Sequence, residues 1–215
     1  MNDPKTIRIM LADDHAMFRE GVKEVLSRIQ DFSVVAEAGA TSEIIDAAKR
    51  VRCDVIVLDI GMPGRGGIDV LKELRQIDPR LHILILSMFP EDQYAYRAIK
   101  AGASGYLTKN KASEELIEAV RRVASGRKYI SAEVAEQLAI DLERDTEKPL
   151  HARLGDREYQ VLCMIASGKT VQQIARELAL SVSTVSTMRV RILKKFAMKT
   201  NAELTHYAIK ESLVS

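Results

Sequence analysis

The sequence lacks any long hydrophobic run and has few cysteines. No apolar stretch among its 215 residues approaches the roughly 18 residues of a membrane-spanning helix, and the N-terminus has neither the basic nor the apolar region of a signal peptide. Its two cysteines, Cys53 and Cys163, lie far apart in apolar surroundings, which is typical of buried free thiols in a reducing compartment. We therefore expect a cytoplasmic protein with no membrane segment and no disulfide.

A strong net charge is also missing, but the charge is unevenly distributed. The formal net charge is +2, and the first 130 residues are close to neutral. Residues 131–148 carry 6 acidic and 2 basic side chains, whereas residues 149–215 carry 10 basic and 5 acidic ones. A local excess of positive charge favours contact with a polyanion. The charge distribution therefore points to the C-terminal part as the part that would contact a polyanion.

Short apolar runs alternate with amphipathic stretches of helical length over the first 125 residues. Strands are predicted at Ile7–Ala12, Ser33–Glu37, Val55–Leu58, His82–Ser87 and Gly105–Leu107. Helices are predicted at Ala16–Arg28, Thr41–Val51, Gly67–Gln76, Asp92–Ala101 and Ser113–Ser125. This alternation is typical of an α/β fold with a doubly wound, five-stranded parallel sheet. Ligands of such sheets bind at the carboxyl ends of the strands, where the strand order reverses.

The pattern becomes all-helical after a charged connector that ends in proline, residues 141–149. One helix is predicted before it, over residues 131–142. Four more are predicted at Asp156–Ser167, Val171–Ala179, Ser183–Phe196 and Asn201–Glu211. The sequence therefore predicts three parts: a doubly wound domain at 1–127, a linker with a helix at 128–149, and a small all-α domain at 150–215.

Polar residues end or follow four of the predicted strands. Asp13 and Asp14 come after the first strand, Asp59 after the third and Lys109 after the fifth, and Ser87 is the last residue of the fourth. Parallel strands bring these side chains to one edge, and three neighbouring carboxylates need a cation, for which Mg²⁺ suits an all-oxygen set. Each residue alone has an ordinary explanation, such as a helix N-cap for either acid of the pair, but their joint placement disfavours it.

The next residue in the chain, His15, is expected to be a partly exposed loop residue outside this chemistry.

These residues, with Val57-Leu58-Asp59-Ile60-Gly61 and Gly105-Tyr106-Leu107-Thr108-Lys109, resemble the receiver domain of two-component response regulators, which is flavodoxin-like. The resemblance implies that Asp59 accepts a phosphoryl group from a sensor histidine kinase or phosphotransfer protein. It implies that Mg²⁺ is bound by Asp13 through water, and directly by Asp14, Asp59 and the Gly61 carbonyl. Lys109 and the Ser87 hydroxyl would contact the phosphoryl group.

The resemblance also implies a switch. After phosphorylation, Ser87 would be drawn toward Asp59 and Tyr106 would rotate inward. The surface that changes would then be formed by the fourth helix, the fifth strand and the fifth helix, with Tyr94, Tyr96 and Ile99 on it.

The stretch Val171–Phe196 predicts two helices joined by the turn Leu180-Ser181-Val182, with Ser183 as the N-cap of the second. One face of that second helix is apolar, and the other carries hydroxyls near its start and cations further along. This pattern, preceded by Leu154–Leu162, resembles the helix-turn-helix of LuxR-type regulators of the NarL/FixJ family. By position, the candidates for reading bases are Ser186, Thr187 and Val190. The candidates for phosphate contacts are Thr184, Arg191, Lys194 and Lys195, with Arg189 the weakest candidate because it lies near the packed side of the helix.

Together these resemblances imply a regulator of transcription that is controlled by phosphorylation, binds double-stranded promoter DNA as a homodimer and is not an enzyme. Two alternatives stay open at this point. The first is a Mg²⁺-dependent phosphohydrolase with Asp59 as nucleophile, although such enzymes usually carry a second acid where this chain has Gly61. The second is a DNA-binding protein that ignores phosphorylation and uses the first domain only to dimerise.

Overall fold

The computed structural model describes residues 6–63, 66–111, 113–143 and 149–214, so the middle of the predicted connector lies outside the described residues. Two compact units are present, Met1–Leu138 and Ala139–Ser215. The strands are β1 (Ile7–Ala12), β2 (Phe32–Ala38), β3 (Val55–Leu58), β4 (His82–Ser87) and β5 (Gly105–Thr108). The helices between and after them are α1 (Ala16–Ser27), α2 (Thr41–Arg50), α3 (Gly67–Ile77), α4 (Glu91–Lys100) and α5 (Ser113–Ala124). The predicted α/β alternation is confirmed.

The five strands form one parallel sheet in the order β2-β1-β3-β4-β5. The chain runs from β1 outward to β2 and then returns to the other side of β1, so the strand order reverses between β1 and β3. Ala12 of β1 pairs with Leu58 of β3, and the next residues, Asp13 and Asp59, therefore leave the sheet side by side. The topology places both acids at the switch point, where doubly wound folds bind ligands.

The core of this unit lies on both faces of the sheet. All four residues of β3 and the central residues of β4 are buried, as continuous apolar strands of parallel sheets are. Helix α5 covers one face with Leu116, Ala119, Val120 and Val123, which recur at the helical period. Both cysteines are free and buried, as predicted. Burial raises the pKa of the Cys53 thiol to about 11.

A segment after α5 continues the sheet beyond β5, which the sequence did not predict. Tyr129 forms an isolated parallel bridge with Gly105. Its amide donates to the Ser104 carbonyl at 3.0 Å, and its carbonyl accepts from the Tyr106 amide at 3.0 Å. A Cβ atom at Gly105 would lie 2.9 Å from Tyr129 Cβ. Glycine at this position therefore allows the close approach of this segment, here called the Tyr129 bridge.

The remaining elements are helical. They are α6 (Ala132–Glu143), a short 3-10 helix (Leu150–Arg153), α7 (Asp156–Ala166), α8 (Val171–Glu177), α9 (Val182–Phe196) and α10 (Asn201–Lys210). Thr170, Ser181 and Thr200 cap α8, α9 and α10 through their hydroxyls. Across the described residues, we find no helix that combines the length and the hydropathy needed to cross a bilayer.

The predicted N-cap of α9, Ser183, is wrong. Ser181 has the extended backbone of a cap, and its Oγ accepts from the Thr184 amide at 3.0 Å. Ser183 already lies inside the helix, which begins at Val182. Both serines are suitable cap residues. The helix begins at Val182, one residue before the predicted start at Ser183.

Candidate functional site

Three carboxylates meet at the switch point of the sheet. Asp13 and Asp59 are only 6% and 3% exposed, and the Asp14 side chain is partly buried. The Asp13 amide donates to the Ala38 carbonyl at 3.1 Å, and the Asp59 amide donates to the Ala12 carbonyl at 2.8 Å. These hydrogen bonds extend the strand pairing by one residue. The backbone positions of both aspartates are therefore fixed by the sheet.

Lys109 lies between two of these acids. Its Nζ is 2.6 Å from Asp13 Oδ2 and 2.6 Å from Asp59 Oδ2, and the side chain is only 3% exposed. The Lys109 amide donates to the Ser87 carbonyl at 2.8 Å, which ties the end of β5 to the end of β4. One ammonium against three carboxylates leaves two negative charges in excess, which is the charge that a divalent cation balances.

Burial and neighbouring charges shift the pKa values of Asp59 and Lys109 in opposite directions. Burial raises the pKa of Asp59, and the nearby Lys109 ammonium offsets only part of that rise. Burial alone would lower the pKa of Lys109, but the Asp59 and Asp13 carboxylates together raise it above its usual value. Lys109 therefore stays an ammonium ion, while the ionised form of Asp59 depends on the positive charges around it.

The donor atoms of the acids are suitably spaced for a metal ion. Asp13, Asp14, His15 and Asp59 each offer one ligand atom, and these atoms lie within 4.8 Å of one another. Asp14 Oδ1 is buried and accepts no hydrogen bond among the described residues. A buried carboxylate oxygen that accepts no hydrogen bond costs free energy unless a cation binds it, and the basic group beside Asp14 Oδ1 among the described residues is the His15 ring. Three carboxylates are the ligands that Mg²⁺ prefers, so the residues fit this ion.

His15 is closer to the acids than the sequence indicated. Its side chain is largely exposed, as expected, but Nδ1 lies 3.2 Å from Asp14 Oδ1 and 3.4 Å from Asp13 Oδ1. The His15 amide also donates to Asp13 Oδ1 at 2.8 Å. Imidazole is a poorer ligand than oxygen for Mg²⁺. The backbone of His15 therefore positions Asp13, and its proximity follows from the tight turn between β1 and α1.

Ser87 and Tyr106 both contact the loop that follows β4. Ser87 is fully buried, and its Oγ accepts from the Phe89 amide at 3.2 Å. Tyr106 is buried as well, with its hydroxyl donating to the Phe89 carbonyl at 2.8 Å. The inward orientation of Tyr106 is therefore the one in this structure. The prediction that Tyr94 lies on the neighbouring surface is wrong: its ring is buried against the Phe89 ring, with centroids 4.5 Å apart.

In the second unit, α9 presents two contrasting faces, as predicted. Val185, Ile192, Leu193 and Phe196 are buried in the helical core. The opposite face is exposed and includes Ser183, Thr187, Val190, Arg191 and Lys194. The short α8 and the turn after it precede α9, which is the arrangement of a helix-turn-helix.

The basic side chains of α9 differ in whether they bond to other residues of the protein. Lys195 Nζ lies 2.5 Å from Glu158 Oε2 of α7, and Arg189 Nε donates to Asn201 Oδ1 of α10 at 2.5 Å. Arg191 and Lys194 form no ion pair with another described residue. Arg191 and Lys194 are thus the cations of α9 most available to a polyanion.

A doubly wound sheet with an acidic cluster, a buried lysine and a buried hydroxyl at its switch point defines a phosphoacceptor domain of the receiver class. The helix-turn-helix that follows it defines a DNA-binding unit. The molecule is thus of the class that couples phosphorylation to DNA binding.

Comparison with known proteins agrees with this class. Residues 9–121 match the response regulator receiver domain family, and residues 152–208 match the bacterial regulatory proteins of the luxR family. The chain is 33% identical to the response regulator GacA of Pseudomonas aeruginosa, over 97% of this chain and 98% of that protein. It is 33% identical to the response regulator UvrY of Escherichia coli K12, over 96% of this chain and 95% of that protein.

Solved structures show the same architecture. A two-component response regulator of the LuxR family from Aurantimonas is 37% identical and superposes with a TM-score of 0.58, over 65% of this chain and 99% of that one. RcsB of Salmonella enterica serovar Typhimurium, bound to promoter DNA with a phosphomimetic, is 23% identical with a TM-score of 0.63, over 94% of this chain and 98% of that one. The chain therefore belongs to the response regulators that join a receiver to a LuxR-type DNA-binding domain, and it regulates transcription under the control of phosphorylation.

Proposed function

We propose that Asp59 is the phosphoacceptor and that a sensor histidine kinase or phosphotransfer protein is the donor. The observation that carries this proposal is the position of Asp59, buried at the switch point with Lys109 Nζ 2.6 Å from its Oδ2. A carboxylate oxygen of Asp59 attacks phosphorus, the bond from phosphorus to the donor imidazole nitrogen breaks, and an acyl phosphate forms. The Lys109 ammonium offsets the negative charge that accumulates during this transfer.

The ligands proposed for Mg²⁺ are Asp13, Asp14, Asp59 and the Gly61 carbonyl. Both oxygens of Asp13 have partners, the Lys109 ammonium and the His15 amide, whereas Asp14 Oδ1 has no hydrogen bond from a described residue. The oxygen of Asp14 that accepts no hydrogen bond supports a direct role for Asp14, and the water-mediated role of Asp13 is proposed from the family resemblance. When bound, Mg²⁺ neutralises the carboxylates and the incoming phosphoryl oxygens.

The chain is proposed to accept one phosphoryl group rather than to turn over a separate substrate. A phosphohydrolase that uses an aspartate nucleophile needs a second acid beside it to protonate the leaving group. Gly61 stands two residues after Asp59, and its amide donates to Asp59 Oδ1 at 2.6 Å. This position supplies a backbone hydrogen bond to the nucleophile and no general acid.

The proposed partner of α9 is the major groove of promoter DNA in the cytoplasm. Ser186, Thr187 and Val190 face the bases, and the phosphate contacts come from Thr184, Arg191, Lys194 and Lys195. Lys195 would exchange its bond with Glu158 for a phosphate. A homodimer would place two copies of α9 on half-sites related by two-fold symmetry.

The full proposal is tested by DNA binding with and without a phosphodonor. DNA that the protein selects from a random pool should be bound more tightly after treatment with acetyl phosphate and Mg²⁺, since phosphorylation reshapes the receiver. Titration of labelled DNA measures this change, and Asp59→Asn should show none. Equal affinities of the treated and untreated wild type would instead support a receiver that only dimerises.

Lys194→Ala should weaken binding to every DNA sequence. The loss of one phosphate contact releases one counterion fewer, so the slope of log affinity against log salt should become shallower by about 1. Lys72→Ala on α3 removes the same charge from the receiver and serves as the control, with no change of slope. An unchanged slope for Lys194→Ala would remove α9 from the DNA interface.

A further inference from the structure

Helix α9 exposes two large apolar side chains to solvent. Val190 is 58% exposed and Val182 is 49% exposed, and they are two of the few large apolar side chains left open to solvent among the described residues. Thr187 lies on the same face, three residues before Val190, and is exposed too. Val190 and the methyl of Thr187 lie close enough on this face to make one apolar contact with a partner.

Four hydroxyls at the start of α9 form hydrogen bonds within the helix or its cap. Ser181 Oγ is 2.8 Å from Ser183 Oγ and 2.7 Å from Thr184 Oγ1. Thr187 Oγ1 donates to the Ser183 carbonyl at 2.9 Å, so its single proton is committed to the backbone. The γ-methyl is then the group of Thr187 that is left for contact with a partner.

Donors that can form paired hydrogen bonds to a base are also missing here. From Val182 to Val190 the only residue with a guanidinium, ammonium or side-chain amide is Arg189, and its Nε donates to Asn201. Arg191 and Lys194 come later, one to two turns after Thr187. Thr187 and Val190 therefore offer methyl groups to base edges, beside the hydroxyl of Ser186.

One group on the major-groove edge of DNA matches a methyl surface. The C5-methyl of thymine is the only apolar group there, and the other bases present only donors and acceptors. We propose that α9 recognises its DNA through thymine methyl groups, with Thr187 and Val190 as the residues that determine specificity. This inference rests on the proposed binding of α9 in the major groove. It predicts that the base pairs in contact with Thr187 and Val190 are A·T pairs.

The test replaces thymine by deoxyuridine, which removes only the methyl group, in DNA that the full-length protein has selected from a random pool. Loss of one buried methyl should weaken binding about fourfold. Thr187→Ser removes the side-chain methyl and keeps the hydroxyl, so it should bind about fourfold more weakly and should not respond to deoxyuridine at the contacted pair. Val190→Ala should behave in the same way at a second pair.

Thr187→Val is the matched control, because it keeps the methyl surface and removes the hydroxyl. It should bind as the wild type does and keep its response to deoxyuridine. All three substitutions are at exposed positions, and thermal unfolding will show that each variant is folded.

Several outcomes would overturn the inference while leaving the proposed function intact. These are equal affinity for thymine and deoxyuridine sites, a loss for Thr187→Val as large as that for Thr187→Ser, or selected half-sites in which Arg191 specifies guanine. Failure to select any DNA would instead count against the proposed function itself. The two failures are therefore distinguishable.

Discussion

Asp59→Asn should abolish phosphorylation by acetyl phosphate in the presence of Mg²⁺, while the wild type forms an acid-stable, base-labile adduct. The amide has nearly the shape of the carboxylate and can still accept the hydrogen bond that the Gly61 amide donates to Oδ1. It is a poor nucleophile, however, and it removes one of three negative charges from the site. Mass spectrometry of the intact protein measures the adduct directly.

Asp69→Asn is the matched control, because Asp69 lies exposed at the start of α3 and its loss changes the net charge equally. It should be phosphorylated as the wild type is. Equal labelling of Asp59→Asn would show that another side chain accepts the phosphoryl group.

Asp59→Asn should also change the thermal stability of the protein. Because burial raises the pKa of Asp59, its ionised form is less stable in the folded protein than in the unfolded chain. The folded state thus loses stability as the pH rises above the usual range of an aspartate. Without Mg²⁺, Asp59→Asn should therefore unfold at a higher temperature than the wild type at neutral pH, because Lys109 keeps its ion pair with Asp13 and the excess of negative charge falls. Adding Mg²⁺ should stabilise the wild type more than the variant.

Lys109→Met should slow phosphorylation of Asp59 by about 100-fold or more, the usual effect of removing one charge-stabilising donor from a reaction site. Methionine fills a similar volume but leaves Asp13 and Asp59 without the ammonium that lies 2.6 Å from each. Breaking a buried ion pair by removing one partner costs about 3 to 5 kcal/mol. The variant should therefore also be less stable than the wild type when Mg²⁺ is absent.

The affinity for Mg²⁺ distinguishes the role of Lys109 from that of the metal ligands. The site of Lys109→Met is more negative, so calorimetric titration should show Mg²⁺ binding at least as tight as in the wild type. Lys111→Met, an exposed change two residues away, should leave phosphorylation and stability unaltered. Phosphorylation of Lys109→Met at the wild-type rate would remove Lys109 from the transfer step.

The fold and most of the site could be predicted because they depend on local patterns. Mainly apolar runs predict the strands to within one residue at each end, since strands of a parallel sheet that is covered on both faces carry few polar side chains. The residue after each strand is also a local feature. Parallel topology then brings Asp13, Asp59 and Lys109 together without further information.

Other features depend on contacts that the sequence does not show. The bond between Lys195 and Glu158 joins residues 37 positions apart, and no periodicity indicates it. The choice of Ser181 over Ser183 as the cap depends on where the chain leaves α8. Tyr94 was misplaced because a tyrosine on an amphipathic helix suits either a surface or a core, and packing against Phe89 decides between them.

The Tyr129 bridge also affects how the receiver can be isolated. In the order β2-β1-β3-β4-β5, β5 is an outer strand, and its Tyr106 amide is used by the Tyr129 carbonyl. An outer strand with unpaired amides and carbonyls is a template for pairing with another chain. A receiver cut directly after α5 would uncover this edge and tend to self-associate, whereas one that extends past Tyr129 carries its own edge protection.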